Sequence, residues 1–142
     1  MATVKQKSGP ISLTLAFTSD IKNTQLAWKT IEETIKASAY SEEKLLGFRL
    51  SLGEAVANAI KHGNQHNPRK IVTITFQIYL TEIKTCVADE GKGYDPDQVP
   101  DPLAPENIER DSGRGLLLIR HYASQVTIHP PGNQLTMVHK IL

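Results

Sequence analysis

The sequence has a single cysteine, few aromatic residues and no long hydrophobic run. With Cys86 alone, no disulfide can form within the chain, which is typical of proteins from a reducing compartment. Uninterrupted apolar stretches span only a few residues, far fewer than the roughly 20 of a membrane-spanning helix, and residues 1–5 open no apolar segment of signal-peptide type. We therefore expect a soluble cytoplasmic protein that does not bind membranes.

The chain also lacks an excess of charge of one sign. Sixteen lysines and arginines stand against 15 aspartates and glutamates, which leaves a net charge of +1. Proteins that hold nucleic acid concentrate basic residues on one face, so the balance argues against direct nucleic-acid binding. A chain of 142 residues is long enough to bury a core without disulfides or metal, and we expect one domain over residues 1–142.

The first half of the chain reads as one strand followed by two helices. Residues 11–17 alternate apolar and polar side chains, the period of a half-buried strand. Residues 20–39 change to helical spacing, with Asp20 placed to cap the helix start. A second helix is predicted from Ser41, before an acidic first turn, to an end at Gly63.

The second half predicts four strands, a loop and a helix. Strands are predicted at 71–80, 83–88, 125–128 and 135–141, and a short helix at 116–122. Between Gly91 and Gly113 no periodicity survives, and four of the eight prolines fall there, which predicts a long loop. The element order predicts an α/β fold, a two-layer sandwich with helices on one face of a mixed sheet.

Glu54 and Asn58 form the first of three polar or glycine-rich clusters. They are four residues apart on the second predicted helix, so both can reach one bound group. The oxygen of an asparagine suits Mg²⁺, and a carboxylate one turn away could take a proton beside a terminal phosphate. His62 continues the stripe, where a packing or capping role is the alternative. Small residues on this stripe, Gly47 and Ser51, indicate that something packs closely against it.

Asp89, Gly91 and Gly93 form the second cluster, directly after a predicted strand. Asp89 could accept a hydrogen bond from the exocyclic amine of adenine, which would select ATP because guanine presents a carbonyl there. The glycines would let the backbone approach the base and sugar. An ordinary turn after a strand is the alternative interpretation.

Gly113, Arg114 and Gly115 form the third cluster, just before the helix that includes Leu116. Free amides and the positive end of a helix can hold phosphates there, although a helix start with a flexible lead would look the same. The lysine and serine of a P-loop are missing. Together the three clusters predict a pocket for a nucleotide.

In this order the clusters resemble the conserved boxes of the ATP-binding superfamily that includes gyrase and sensor histidine kinases. Residues 53–59 read GEAVANA and residues 111–116 read DSGRGL, which look most like the bacterial anti-sigma factor serine kinases of partner-switching systems. The resemblance is close from about residue 41 to 125. It implies the Bergerat ATP-binding fold, with ATP and Mg²⁺ as cofactors.

The resemblance also implies roles for individual residues. Glu54 would be the catalytic base, Asn58 the Mg²⁺ ligand and Asp89 the adenine acceptor. Arg110 would contact the γ-phosphate or the partner serine, with Arg114 as its competitor. Backbone contacts to the nucleotide would come from the four glycines Gly91, Gly93, Gly113 and Gly115, with His62 and Leu116 nearby, and residues 93–112 would be the ATP lid. Arg114 departs from the pattern, since many relatives carry an apolar residue there.

Members of this family dimerise, bind a sigma factor or another regulator in one state, and phosphorylate a serine on a small anti-anti-sigma antagonist in another. The resemblance implies the same partners and a homodimer here. One alternative is a nucleotide-gated binding module without kinase activity. Another, the catalytic fragment of a sensor kinase, is disfavoured because residues 20–39 contain no phosphoacceptor histidine.

Overall fold

The structure is a computed structural model that describes residues 2–5, 9–35, 40–93 and 114–142, with only the backbone described for 2–5 and 114. Its helices are α1 (Thr24–Ile35), α2 (Glu42–Asn58) and α3 (Arg114–Tyr122). Its strands are β1 (Ala2–Lys5), β2 (Ile11–Thr18), β3 (Ile71–Ile78), β4 (Glu82–Ala88), β5 (Gln125–His129) and β6 (Gln134–Lys140).

The strands form one six-stranded sheet in the order β1-β2-β3-β4-β6-β5. All the described pairings are antiparallel, so the predicted mixed sheet is wrong. A parallel neighbour requires a crossover that carries the chain back to the end of the sheet where the first strand began. Here α1 and α2 lie between β2 and its neighbour β3, and the chain re-enters the sheet at the end where β2 finishes, with Ile71 opposite Thr18.

Strand β1 is an element that the sequence pattern did not predict. It pairs with β2 in antiparallel register, with Ala2 opposite Leu15 and Lys5 opposite Ser12. With four residues it is too short to show a period of two convincingly. It adds an edge strand next to the first strand that the sequence predicted.

The core lies between the helices and one face of the sheet. Phe48 of α2 is at its centre: its ring centroid lies 6.4 Å from that of Phe76 on β3, 6.1 Å from that of Trp28 on α1 and 5.2 Å from that of His139 on β6. Burying a side chain of this size contributes about 1.5–3 kcal/mol relative to leaving it exposed.

Buried positions alternate along β2, β3 and β4, with the other face of these strands more exposed. Leu13 of β2 is buried while Thr14 is exposed, and Ile83 of β4 is buried while Lys84 is exposed. One sheet face therefore packs on the helices, which confirms the predicted two-layer α/β sandwich with helices on one face.

The first two predicted helix starts carry a side-chain cap. Asp20 accepts a hydrogen bond from the N–H of Lys22 at 3.0 Å, although a short 3₁₀ turn, Ile21–Asn23, precedes α1. Ser41 accepts from the N–H of Lys44 at 3.5 Å and begins α2 as predicted. Such caps satisfy N–H groups that a helix start otherwise leaves unpaired.

The end of α2 differs from the sequence prediction. The α-helix ends at Asn58, and the chain continues through a π-helical turn, Ala59–Gly63, before leaving the helix. We call this segment the π-turn. It is followed by Gln65 and His66, both in the left-handed region with φ of 51° and 55°. Turns of the π type are rare and frequently lie at functional sites.

The C-terminal part matches the prediction closely. Helix α3 begins at Arg114, two residues before the predicted start, and ends at Tyr122. The final hairpin is β5 and β6, paired from Gln125 opposite Val138 to His129 opposite Gln134. The predicted loop is described only from 91 to 93, and its remainder lies outside the described residues. In the described part of the chain, no helix has the length and apolarity needed to cross a membrane.

Candidate functional site

Helix α3 lies antiparallel along the stripe of α2 that carries Glu54 and Asn58. A Cβ added to Gly47 would lie 2.6 Å from the ring of Tyr122, near the end of α3. A Cβ added to Gly115, near the start of α3, would lie 2.7 Å from Oε2 of Glu54 and 3.0 Å from Nδ2 of Asn58. The sequence prediction that something packs against this stripe is confirmed, and the packed element is α3.

The polar ends of Glu54 and Asn58 meet the first turn of α3. Both residues are partly buried, while Gly115 is buried as the second residue of that helix. The first N–H groups of a helix have no partner within it, and the helix dipole makes this end positive. Two of the three predicted clusters therefore converge at one point. Leu116 follows on α3, partly buried.

The loop after β4 lies directly against the π-turn. A Cβ on Gly63 would overlap the carboxylate of Asp89, and a Cβ on Gly91 would overlap the carbonyl oxygen of Gly63. Only glycine at both positions permits this approach. Since Gly63 follows Asn58 by little more than one helical turn, the second cluster lies beside the first. His62 is exposed in the same π-turn.

The Asp89 carboxylate is held in one orientation. Its Oδ1 accepts a hydrogen bond from the N–H of Gly91 at 2.8 Å. Burial raises the pKa of this carboxyl, opposed by the Gly91 hydrogen bond and by the charge of Lys70, which both lower it. The backbone N–H of Asp89 donates to the carbonyl of Asn133 at 2.9 Å, in the turn between β5 and β6. The site thus contains a partly buried acceptor whose position is fixed from two sides.

Gly93 contacts the same β5–β6 turn. Its φ of +81° lies in the left-handed region, and a Cβ there would overlap the carbonyl of Pro131. Gly91 and Gly93 are therefore required by contacts within the protein. Their predicted contact to a nucleotide stays a prediction.

For three predicted site residues the structure describes no side-chain position or no position at all. Arg110 and Gly113 lie outside the described residues, as does most of the predicted lid. Arg114 begins α3, but its side chain is not among those described. The choice between Arg110 and Arg114 as the phosphate contact remains open.

Asn64 lies next to the candidate site, and the sequence pattern did not single it out. It follows the π-turn and is fully buried, at 0% exposure. Its Nδ2 donates to Oγ of Ser19 at 2.8 Å and to the carbonyl of Ile71 at 3.1 Å, and its Oδ1 accepts from the N–H of Glu90 at 2.7 Å. An asparagine after a glycine at a helix end reads as a turn residue. Its burial and its hydrogen bonds to distant residues distinguish it from an ordinary turn residue.

The donor set suits Mg²⁺ bound together with phosphate. No group of three or more His, Cys, Asp or Glu side chains is arranged to hold a metal ion within the described ranges. Magnesium, however, is usually held by one or two protein oxygens, with phosphate and water as its other ligands. The amide oxygen of Asn58, which lies beside the first turn of α3, fits that requirement, and the carboxylate of Glu54 lies next to it.

Comparison with known proteins identifies the family of the chain. A family model described as the histidine kinase-like ATPase domain matches residues 17–139. The serine-protein kinase RsbW of Staphylococcus aureus is 33% identical over 101 residues, which cover 66% of this chain and 64% of that protein. The serine-protein kinase RsbW of Staphylococcus epidermidis is 28% identical over 107 residues, 70% of this chain and 67% of that protein.

The chain thus spans about two thirds of the length of these curated relatives. The residues that the family model matches run from the end of β2 to the end of β6. They include Glu54, Asn58, Asp89 and Gly115, the residues that the fold brings together. The protein belongs to the histidine kinase-like ATPase domain family.

Proposed function

We propose that the protein binds ATP with Mg²⁺ and transfers the γ-phosphate to a serine of a small partner protein. The observation that carries the proposal is the convergence of Glu54 and Asn58 on the backbone of Gly115. A carboxylate, an amide oxygen and a helix start are the groups that phosphoryl transfer needs at one place. The names of the two staphylococcal relatives, both serine-protein kinases, support the reaction class.

The phosphates would lie against the first turn of α3. The N–H groups at this helix end can donate to phosphate oxygens, as helix starts commonly do. Asn58 would ligate Mg²⁺ through Oδ1, and the bound ion would neutralise charge on the phosphate oxygens. Because Gly115 has no Cβ, the Asn58 and Glu54 side chains can lie close beside this helix end.

Glu54 would act as the general base. In the transfer step its carboxylate takes the proton of the serine hydroxyl. The serine oxygen forms the new bond to phosphorus while the bond to the leaving ADP oxygen breaks. General-base catalysis of this kind typically contributes about 10²–10⁴-fold to the rate.

The adenine would lie at the loop after β4. Because Oδ1 of Asp89 is engaged by Gly91, the other carboxylate oxygen is the one that would accept from the exocyclic amine of adenine. Guanine presents a carbonyl at that place and would be repelled by the carboxylate. Asp89 would therefore select ATP over GTP.

The remaining roles and partners rest on the resemblance to anti-sigma factor kinases. Arg110 or Arg114 would contact the γ-phosphate, residues 93–112 would close over it, and Gly91, Gly93, Gly113, His62 and Leu116 would line the site. A cytoplasmic homodimer would bind a sigma factor or another regulator in one state. In the other state it would phosphorylate an anti-anti-sigma antagonist.

The test is transfer of labelled γ-phosphate, with Mg²⁺ present, to small antagonist-type proteins encoded in the same genome. Glu54→Gln removes the base at nearly constant shape and should lower the transfer rate by about 10²–10⁴-fold while ATP binding persists. Glu33→Gln, on the exposed side of α1, is the control and should transfer normally.

Two results would contradict the proposal. Transfer by Glu54→Gln at the wild-type rate would remove Glu54 from its role as base. Bound ATP without transfer by the wild type would leave the nucleotide-gated binding module as the better description.

A further inference from the structure

We propose that Asn64 is a positioning residue for the nucleotide base, because its buried amide fastens the loop after β4, and Asp89 with it, onto the π-turn. The inference rests on the proposed function, since it concerns how the same site selects adenine. It assigns a role to a residue that touches neither phosphate nor metal in the proposed site. The argument uses hydrogen bonds between side chains and backbone that are far apart in the chain.

All the main hydrogen-bonding groups of the Asn64 side chain are engaged. Nδ2 donates at 2.8 Å and 3.1 Å, and Oδ1 accepts at 2.7 Å. The first acceptor, the Ser19 hydroxyl, donates in turn to the carbonyl of Lys70 at 2.7 Å. A buried amide that loses a partner is costly, so this set of bonds has one arrangement that satisfies every member. The amide therefore cannot rotate freely.

The Asn64 amide joins the loop after β4 to the start of β3. The carbonyl of Ile71 accepts from Asn64, while the N–H of Ile71 donates to Oε2 of Glu90 at 2.7 Å. Glu90 is exposed, so its own side-chain bond competes with water. The bond from the N–H of Glu90 to the buried Asn64 is shielded from that competition.

This bond fixes Asp89 through its backbone. The N–H of Glu90 belongs to the peptide unit that carries the Asp89 carbonyl, and peptide units are planar. The N–H of Asp89 is held from the other side by Asn133. The β5–β6 turn also reaches the other peptide unit, because Nδ2 of Asn133 donates to the Asp89 carbonyl at 3.4 Å. That bond is long, so the 2.7 Å bond from the N–H of Glu90 to Asn64 is the stronger anchor of this peptide unit.

The glycines at this contact allow the two backbones to come close, but they do not hold them together. Gly63 and Gly91 allow the two backbones to meet, since any Cβ there would overlap the facing chain. Among the described hydrogen bonds between the loop and the segment just after the π-turn, the one from Glu90 to Asn64 holds them together. Without it we expect the loop, and the Asp89 carboxylate, to take several positions.

The test is the ratio of the GTP and ATP dissociation constants, with Mg²⁺, for the full chain. Asn64→Ala should lower this ratio by about tenfold or more, on the scale of one buried hydrogen bond. Ser19→Ala is the matched control, because it removes a partner of the same amide and destabilises the fold without touching Glu90. Its ratio should stay within about twofold of wild type.

A conservative variant separates positioning from stability. Asn64→Asp keeps an oxygen for the N–H of Glu90 but loses both donors, so the melting temperature should fall while selectivity for ATP persists. If Asn64 acted only through stability, Asn64→Asp would select ATP over GTP no better than Asn64→Ala does. That result would overturn the inference.

The remaining outcomes are also decisive. If the wild type selects ATP and Asn64→Ala selects it equally well, Asn64 has no positioning role although the proposed site stands. If the wild type binds both nucleotides equally, the role of Asp89 in the proposed function fails and that of Asn64 with it.

If Asn64→Ala does not fold, amide hydrogen exchange of the wild type tests the inference instead. The Glu90 N–H should be as protected as those of β3, and rapid exchange would overturn the inference.

Discussion

Acid should destabilise the fold through His139. This residue lies on β6 with 1% of its surface exposed, and its ring packs edge-on against Phe48, with centroids 5.2 Å apart. Within the part of the chain that the structure describes, neither ring nitrogen has a hydrogen-bond partner. Burial lowers the pKa of His139 from 6.5 to about 4, because the charged imidazolium is poorly solvated there.

The sign of the effect follows from the two states. Above pH 6.5 His139 is neutral whether the chain is folded or not, so stability is fully present. Below pH 6.5 the unfolded chain binds a proton that the folded protein refuses, and stability falls until the folded pKa near 4 is passed. The complete loss is about 3 kcal/mol, at about 1.4 kcal/mol per pKa unit, and about 2 kcal/mol of it should be gone by pH 5.

Urea unfolding between pH 7.5 and pH 4.5 measures this loss. His139→Leu removes the titrating group. Between neutral pH and pH 5, its free energy of unfolding should therefore fall by about 2 kcal/mol less than that of the wild type. His121→Gln, an exposed histidine on α3, should follow the wild type. Asp89 acts in the opposite direction, because its raised pKa favours the folded state in acid, so the comparison between variants is the informative quantity. Parallel pH profiles for wild type and His139→Leu would refute the reasoning.

Two further predictions concern the site. Asp89→Asn should stabilise the protein without ligand, because it removes a partly buried charge, yet weaken ATP binding and favour GTP. In this variant the amide oxygen must face the N–H of Gly91, so its NH₂ group would face the base. Thermal unfolding checks the gain in stability, and titrations with ATP and GTP check the change in nucleotide binding. Gly115→Ala would press on Glu54 and should weaken ATP binding at least about tenfold, whereas Gly53→Ala meets nothing within 4 Å. That control should bind normally and be about 0.5–1 kcal/mol more stable.

Local patterns predicted most of the fold because they depend on neighbouring residues. The start of α2 at Ser41 follows from a capping side chain and an acidic first turn. Alternation predicted β2 to within a residue at its C-terminal end. The π-turn was not predictable in this way. Its last residue, Gly63, lies against Asp89, which is distant in the sequence.

The candidate site was predictable in its members but not in its assembly. Gly47 and Ser51 indicated close packing on the stripe that includes Glu54, yet nothing local says that α3 is the packed element. Asn64 could not be found at all, because its hydrogen-bond partners Ser19 and Glu90 lie 45 and 26 residues away. Tertiary contacts of this kind leave no periodic signal in the sequence.

The glycines of the site show why a motif and its physical cause can differ. A glycine-rich cluster is commonly interpreted as backbone that approaches a ligand. Here a Cβ on Gly63 or on Gly91 would lie 2.2 Å from an atom of the facing chain, so these two glycines are needed even without a nucleotide. The pattern alone therefore does not identify a nucleotide site. What favours ATP is the chemistry that these close contacts bring together, namely the acceptor Asp89 and the pair of Glu54 and Asn58 at a helix start.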